Sequence, residues 1–270
     1  MAMRRYTAEQ LEEARAYLRK RIEGEVSMEK DVHDLLGSFA ERLVDMLLRG
    51  ASQEEIDALV EDLVTMLLDD CQTLAVDEHT DKRNLILPYI MREWKGDTLE
   101  RRLRRRVNTF VEECVAVYAA GILLDKTRNV IVTSIRSNMK EPWNNPVLVE
   151  AREKVKSGDM VLLGKMGDIG IDNPAFFEER HYGRGVPVSS MIDLQRMTRF
   201  AVGEGWMYYG FLDAREKGAV GYFVERGSNI PCDICDSHVG VFYYITDDEN
   251  RPQFHLSCRC VVVYVYNERL

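Results

Sequence analysis

Ile230-Pro231-Cys232-Asp233-Ile234-Cys235 and, after nineteen intervening residues, His255-Leu256-Ser257-Cys258-Arg259-Cys260 decide how this chain reads. Zinc takes four ligands at the corners of a tetrahedron, supplied as deprotonated thiolates and neutral imidazole. A Cys-x-x-Cys turn brings two sulfurs onto one ion, and a second close-spaced pair must arrive from elsewhere. His255 and Cys258 are offset by three, the reach of a tight turn. Nineteen residues is about the length of a β-hairpin, so a metal there would pin the two ends of a hairpin to the last strand. In a sheet this small, metal binding would supply much of the local folding free energy. Five candidates compete for four places. The preferred set is Cys232, Cys235, His255 and Cys258, with Cys260 as the substitute. His238 is a sixth, weaker candidate, with a simpler reading as a polar side chain on the hairpin.

Other chemistries of this cluster differ in what they require. Disulfides would need an oxidising compartment. A redox-active Cys-x-x-Cys usually comes near a βαβ unit, which the pattern lacks. A catalytic zinc keeps one position open for water and needs a general base beside it. Here thiolates suffice to close the shell, and no His-x-Glu-type motif accompanies them. The spacing therefore favours a single structural zinc ion.

Outward from the cysteines, three runs are rich in β-branched and aromatic residues: Val220 to Val224, Val241 to Ile245 and Val261 to Tyr266. They predict a small three-stranded antiparallel sheet. A helix over about 191–217 precedes them, capped by Ser189 or Ser190 and crowded with Met191, Leu194, Met197, Phe200, Trp206, Tyr209 and Phe211. Residues 164–190 are rich in Gly, Pro and Asn. No Gly-Lys-Ser/Thr follows these glycines, so they read as a long surface loop and not as a phosphate cradle. Glu178, Glu179, Arg180 and His181 fall in the same stretch and read as loop polarity. Glu141-Pro142-Trp143-Asn144-Asn145-Pro146 cannot be a regular helix interior and marks a boundary.

The first 140 residues or so read as helices. Thr7-Ala8-Glu9-Gln10 and Ser52-Gln53-Glu54-Glu55 are capping boxes, in which a hydroxyl at the N-cap is answered by a side chain three residues later. Ile56, Leu59, Val60, Leu63 and Leu67 form an apolar stripe, as do Leu35, Phe39, Leu43, Met46 and Leu47, with Gly50 as the stop. A further helix opens at Gly96-Asp97-Thr98 and is expected to run to about Lys126. The fold class is α+β: an N-terminal helical bundle over 1–140, a linker and long loop over 141–190, and a small module with a three-stranded antiparallel sheet and a Cys/His knot over 191–270.

The chain of 270 residues, 46% hydrophobic and 30% charged, has the balance of a globular protein. Its net charge of −9 argues against general nucleic-acid binding. The dense basic block is Arg101, Arg102, Arg104, Arg105 and Arg106. Its two readings are a solvated face balanced by Glu100 and neighbouring helices, or a phosphate-contacting patch. The acidic surroundings favour the first. No run reaches the roughly 18 apolar residues of a membrane span, and no apolar segment follows the basic start, so a bacterial cytoplasm or a particle assembled there is expected. Cys71 and Cys114 stand alone within helical patterns.

The order helix with an acidic residue, short strand, Cys-x-x-Cys, glycine-and-aromatic hairpin, then His-x-x-Cys-Arg-Cys and a final strand resembles the C-terminal module of phage Mu F-type minor head, or head-morphogenesis, proteins. The resemblance covers roughly residues 190–270. The family's ending is usually His-Pro-Asn-Cys-Arg-Cys; here Leu256 and Ser257 replace the Pro-Asn. Its helix carries Arg-Thr-Glu; here Gly203 replaces the Thr, and Glu204 is carried over. The resemblance implies a non-enzymatic role in capsid assembly, inside the virion head of a phage or prophage, built in the host bacterial cytoplasm. The implied partners are the portal and capsid or scaffold proteins, with packaged DNA at most a weak one. Such modules can be joined to toxin domains such as nucleases or ADP-ribosyltransferases. The helical half shows no convergent acid, base and nucleophile set for that role. The alternatives to an assembly protein are such a toxin or a nucleic-acid-binding zinc protein.

Overall fold

The structure is a computed structural model that describes residues 6–157, 181–182, 186–187, 189–247, 251–256 and 258–266. The glycine-rich stretch 158–180, with Glu178, Glu179 and Arg180, lies outside the described residues, as does the His181 side chain. The fold is α+β, mostly helical with a three-stranded antiparallel sheet.

Both capping boxes form. Gln10 N–H donates to Thr7 Oγ1 at 3.2 Å while Thr7 N–H donates back to Gln10 Oε1 at 2.8 Å. They open α1, a 41-residue helix over Ala8–Leu48. Gly50 N–H on Leu47 O and Ala51 N–H on Met46 O close its end as a Schellman motif. Ser52 and Glu55 exchange the same pair of bonds at the start of α2, Gln53–Val76. Then come α3 (Arg83–Met91), α4 (Leu99–Leu123), α5 (Arg128–Asn138) and α6 (Pro146–Lys156).

Helix α6 corrects the sequence reading, which placed residues 141–190 in a linker and loop. The prolines that ruled out a helix interior sit where proline is tolerated. Pro142 opens a 3-10 turn, and Pro146 is the first residue of α6, where its missing N–H costs nothing. Asn145 caps the helix by accepting the Val147 N–H at 3.0 Å. A two-residue antiparallel ladder, β1 (His181–Tyr182) with β2 (Val186–Pro187), also falls in the span read as loop.

Helix α7 covers Ser190–Glu216, with the Ser189 hydroxyl accepting the Ile192 N–H at 3.2 Å. The remaining strands are β3 (Ala219–Glu225), β4 (Phe242–Tyr244) and β5 (Val261–Tyr266), in the order β4-β3-β5, antiparallel throughout. The register pairs Tyr222 with both Tyr243 and Tyr264.

The chain divides into two compact units that interleave along the sequence. One comprises Met1–Glu29, Leu68–Leu99 and Arg196–Leu270, and the other Lys30–Leu67 and Glu100–Gln195. In the first, β5 alternates strictly. Val261 and Val263 pack against Leu11 and Leu18 of α1, and Val262 and Tyr264 lie against the cluster of Phe211, Tyr222 and Val224. Ala75 and Val76 pack with Ile86 and Ile90 of α3 in a separate cluster. In the second unit, Leu36, Leu43, Leu63, Leu103, Phe110, Ile131 and Leu148 are all fully buried, and the Phe39 and Phe110 rings lie 6.1 Å apart. Among the described residues no helix is long and apolar enough to cross a membrane.

Candidate metal centre

Cys232 is the extended residue that caps a single helical turn, Asp233–Asp236, so its sulfur and that of Cys235 face the same way off a tight bend. Asp236 N–H donates to Cys232 O at 2.8 Å and His238 N–H to Cys235 O at 2.9 Å. A second turn, closed by Cys258 N–H on His255 O at 3.1 Å, presents His255 and Cys258. Cys260 immediately precedes β5. Between the turns the chain makes a close approach: a Cβ on Gly227 would lie 1.5 Å from Arg259 O, so only glycine fits there.

The donor atoms converge. Cys235 Sγ is 3.1 Å from His255 Nε2 and 3.7 Å from Cys258 Sγ, and Cys232 Sγ is 3.3 Å from the same imidazole nitrogen. Tetrahedral zinc with its usual bond lengths would set S···S near ~3.7 Å and S···N near ~3.6 Å. The separations fit a shared ion to within about half an ångström. They far exceed the roughly 2.05 Å of a disulfide, and all six cysteines are free. Two overlapping trios, Cys232–Cys235–His255 and Cys235–Cys258–Cys260, bring all five sequence-predicted residues together around Cys235. Cys235, Cys258 and Cys260 are buried, and Cys232 and His255 half-buried. A hydrogen bond from Cys260 holds the Cys258 thiol below its usual value. That bond, with burial, pushes Cys260 up; burial and the neighbouring Cys258 push Cys235 up. The group is a Cys/His cluster that fits a metal ion.

His238 stands apart from it, bonded through Nδ1 to the Tyr243 hydroxyl at 2.8 Å and stacked on Phe254 at 3.8 Å. Cys71 and Cys114 are buried singly in α2 and α4, where burial raises their thiols.

Glu204 proves to hold the ligand-bearing loop. It is 4% exposed; one oxygen accepts the Gln253 N–H at 3.2 Å and the other pairs with Arg92 Nη2 at 2.7 Å. Arg92 in turn lies 3.5 Å over the Tyr89 ring, which stacks on Tyr208 at 3.8 Å. Gly203 leaves room for Gln253, whose Nε2 sits 1.7 Å from where a Cβ would be. Gln253 and Arg92 carry no sequence signal that links them to the knot.

The arginine block is far from bare. Arg104 pairs with Glu61 and, at 3.1 Å, with Glu100, and Arg106 Nε lies 3.6 Å from Asp193. Arg101, Arg102 and Arg105 also have partners.

Fold and site together define an α+β protein with a buried Cys/His cluster suited to a metal. No family model matches the chain, and no curated protein or solved structure does.

Proposed function

We propose that the cluster is a structural zinc knot and that the protein is a non-enzymatic assembly protein of the phage Mu F-type minor head kind. The observation that carries the reading is the convergence of Cys232, Cys235, His255, Cys258 and Cys260 beside the sheet, from the two motifs that bear the family resemblance. Thiolate-rich, largely buried donor sets close the shell of a structural zinc, whereas a catalytic zinc keeps an open position with a base beside it. The buried carboxylates beside the ligand loop are both engaged, Glu204 by Arg92 and Gln253 and Glu25 by Arg21 and Arg259. In this account, zinc fixes the hairpin that follows β3 to the start of β5, and the stiffened unit serves as a scaffold for docking. The partners are the portal and the capsid or scaffold proteins, and the location is the interior of a virion head.

The test is co-expression of the chain with the portal and major capsid proteins of its source phage or prophage, followed by isolation of the heads. The expected result is a few copies of the chain per particle, lost when Cys235 and Cys258 are both replaced by serine. Heads that form with a normal complement of proteins and never contain the chain would end the assembly reading.

A further inference from the structure

Behind the knot lies a set of buried charges supplied by α1. Arg21 is 1% exposed. Its Nη2 donates to Cys258 O at 3.3 Å, and its Nε lies 3.1 Å from Glu25 Oε1, one helical turn on. Its Nη1 has no hydrogen-bond partner among the described residues. Glu25, whose side chain is 3% exposed, also pairs with Arg259, which stands between Cys258 and Cys260. Arg21 and Cys260 line the same small cavity, together with Tyr17 and Tyr264. Burial pushes the Arg21 guanidinium down from its usual value and Glu25 opposes the shift; arginine stays charged all the same.

The formal charges can be counted. Two guanidiniums and one carboxylate leave +1, with Leu18 and Val261 packed nearby. Arg21 and Glu25 are buried and cancel, so the surplus positive charge sits on Arg259, whose side chain is 27% exposed. The Arg226–Asp236 pair beside the Cys232–Cys235 turn is neutral. Zinc with three thiolates and a neutral imidazole carries −1; with four thiolates it carries −2.

We propose that Arg21, Glu25 and Arg259 form the counter-charge of the metal–thiolate cluster, with Arg21 the positioning residue that strengthens its hold on the metal and matches it to three thiolates and one imidazole. The proposal rests on the zinc reading above. Loading converts three thiols and a zinc dication into a zinc tris-thiolate and three released protons, so the site's own charge passes from 0 to −1. A neighbouring +1 favours the loaded form. Removing Arg21 weakens binding, and removing the Glu25 charge does the reverse. A merely structural role for the triad would move both variants the same way, since each breaks the same ion pair.

The experiment is zinc affinity of the full chain at one neutral pH, by competition with a chromophoric chelator, for wild type, Arg21→Met, Arg21→Lys and Glu25→Gln. The expected result is a 10–100-fold loss for Arg21→Met, the usual range for a partner behind the ligands. Arg21→Lys should fall between it and wild type, and Glu25→Gln should bind at least as tightly as wild type. Unchanged affinity in Arg21→Met, or a loss in Glu25→Gln, would overturn the proposal. If Arg21→Met does not fold, the direction of Glu25→Gln decides alone. A wild-type chain that takes up no zinc would instead remove the zinc reading itself.

Discussion

Gly227→Ala adds one methyl group where the chain passes closest to the ligand loop. The new Cβ would stand 1.5 Å from Arg259 O, 2.7 Å from Arg259 C and 2.8 Å from Leu18 Cδ2. The leucine can swing aside, but the carbonyl is backbone, and it must retreat by about 2 Å to reach ordinary contact. Arg259 is the single residue between Cys258 and Cys260, so the retreat is imposed on two sulfurs whose bonds to a metal tolerate about 0.2 Å. Two terms of opposite sign then compete. Alanine in place of glycine restricts the unfolded chain and stabilises by about 0.4–1 kcal/mol where the native backbone accepts it. Overpacking a filled site costs about 1–3 kcal/mol. Because the obstruction is backbone and not a flexible side-chain tip, the second term should prevail, with a net loss of about 1–2 kcal/mol and weaker zinc binding. Urea unfolding followed by far-ultraviolet circular dichroism, with chelator competition on the same preparations, reads both. A variant as stable as wild type or more so, with unchanged zinc affinity, would show that Gly227 is not a fulcrum of the knot.

Other outcomes follow from the same contacts. Glu204→Ala deprives the buried Gln253 N–H and Arg92 of their shared acceptor, and should cost about 1–3 kcal/mol in chemical denaturation; a neutral result would mean the loop is held by other means. Asn145→Ala should lose a similar amount by the same assay, since this 1%-exposed residue caps α6 and exchanges bonds with Ser134, while the exposed Ser52→Ala cap should lose only about 0.5–1 kcal/mol. Equal losses at the two caps would contradict the burial argument. DNA binding by the whole chain should be weak or absent at physiological salt. Tight binding abolished by replacing Arg101, Arg102, Arg104, Arg105 and Arg106 with glutamine would revive the phosphate-contact reading.

What was legible in the sequence is what local chemistry writes there. The Thr7 and Ser52 boxes need only residues three apart, and both form. The β5 strand is a run of β-branched and aromatic residues, and its bounds fall where the pattern puts them. The Cys/His cluster was legible because metal ligands must be particular residue types at close spacing. Helix α6 was not, because Pro146 reads as a breaker in sequence while its place at the first helical position makes it a starter. The supports of the site were not legible either. Arg21 and Glu25 look like any helical ion pair at i, i+4, and Arg92 like a helix-end cation. Their relation to residues over 100 positions away arises only when α1 and α7 meet the ligand loop within one unit. Gly203 is the intermediate case: its departure from the threonine of the module this region resembles was visible, and its reason, the seat of Gln253, was not.

The measurement that bears most directly on the central claim is the zinc content of protein purified without added metal, taken with a free-thiol count under denaturing conditions. The account predicts one zinc per chain, all cysteines recovered as thiols, and loss of both zinc and local folding when Cys232 or Cys258 becomes serine. No metal, with the four C-terminal cysteines oxidised in pairs, would contradict it.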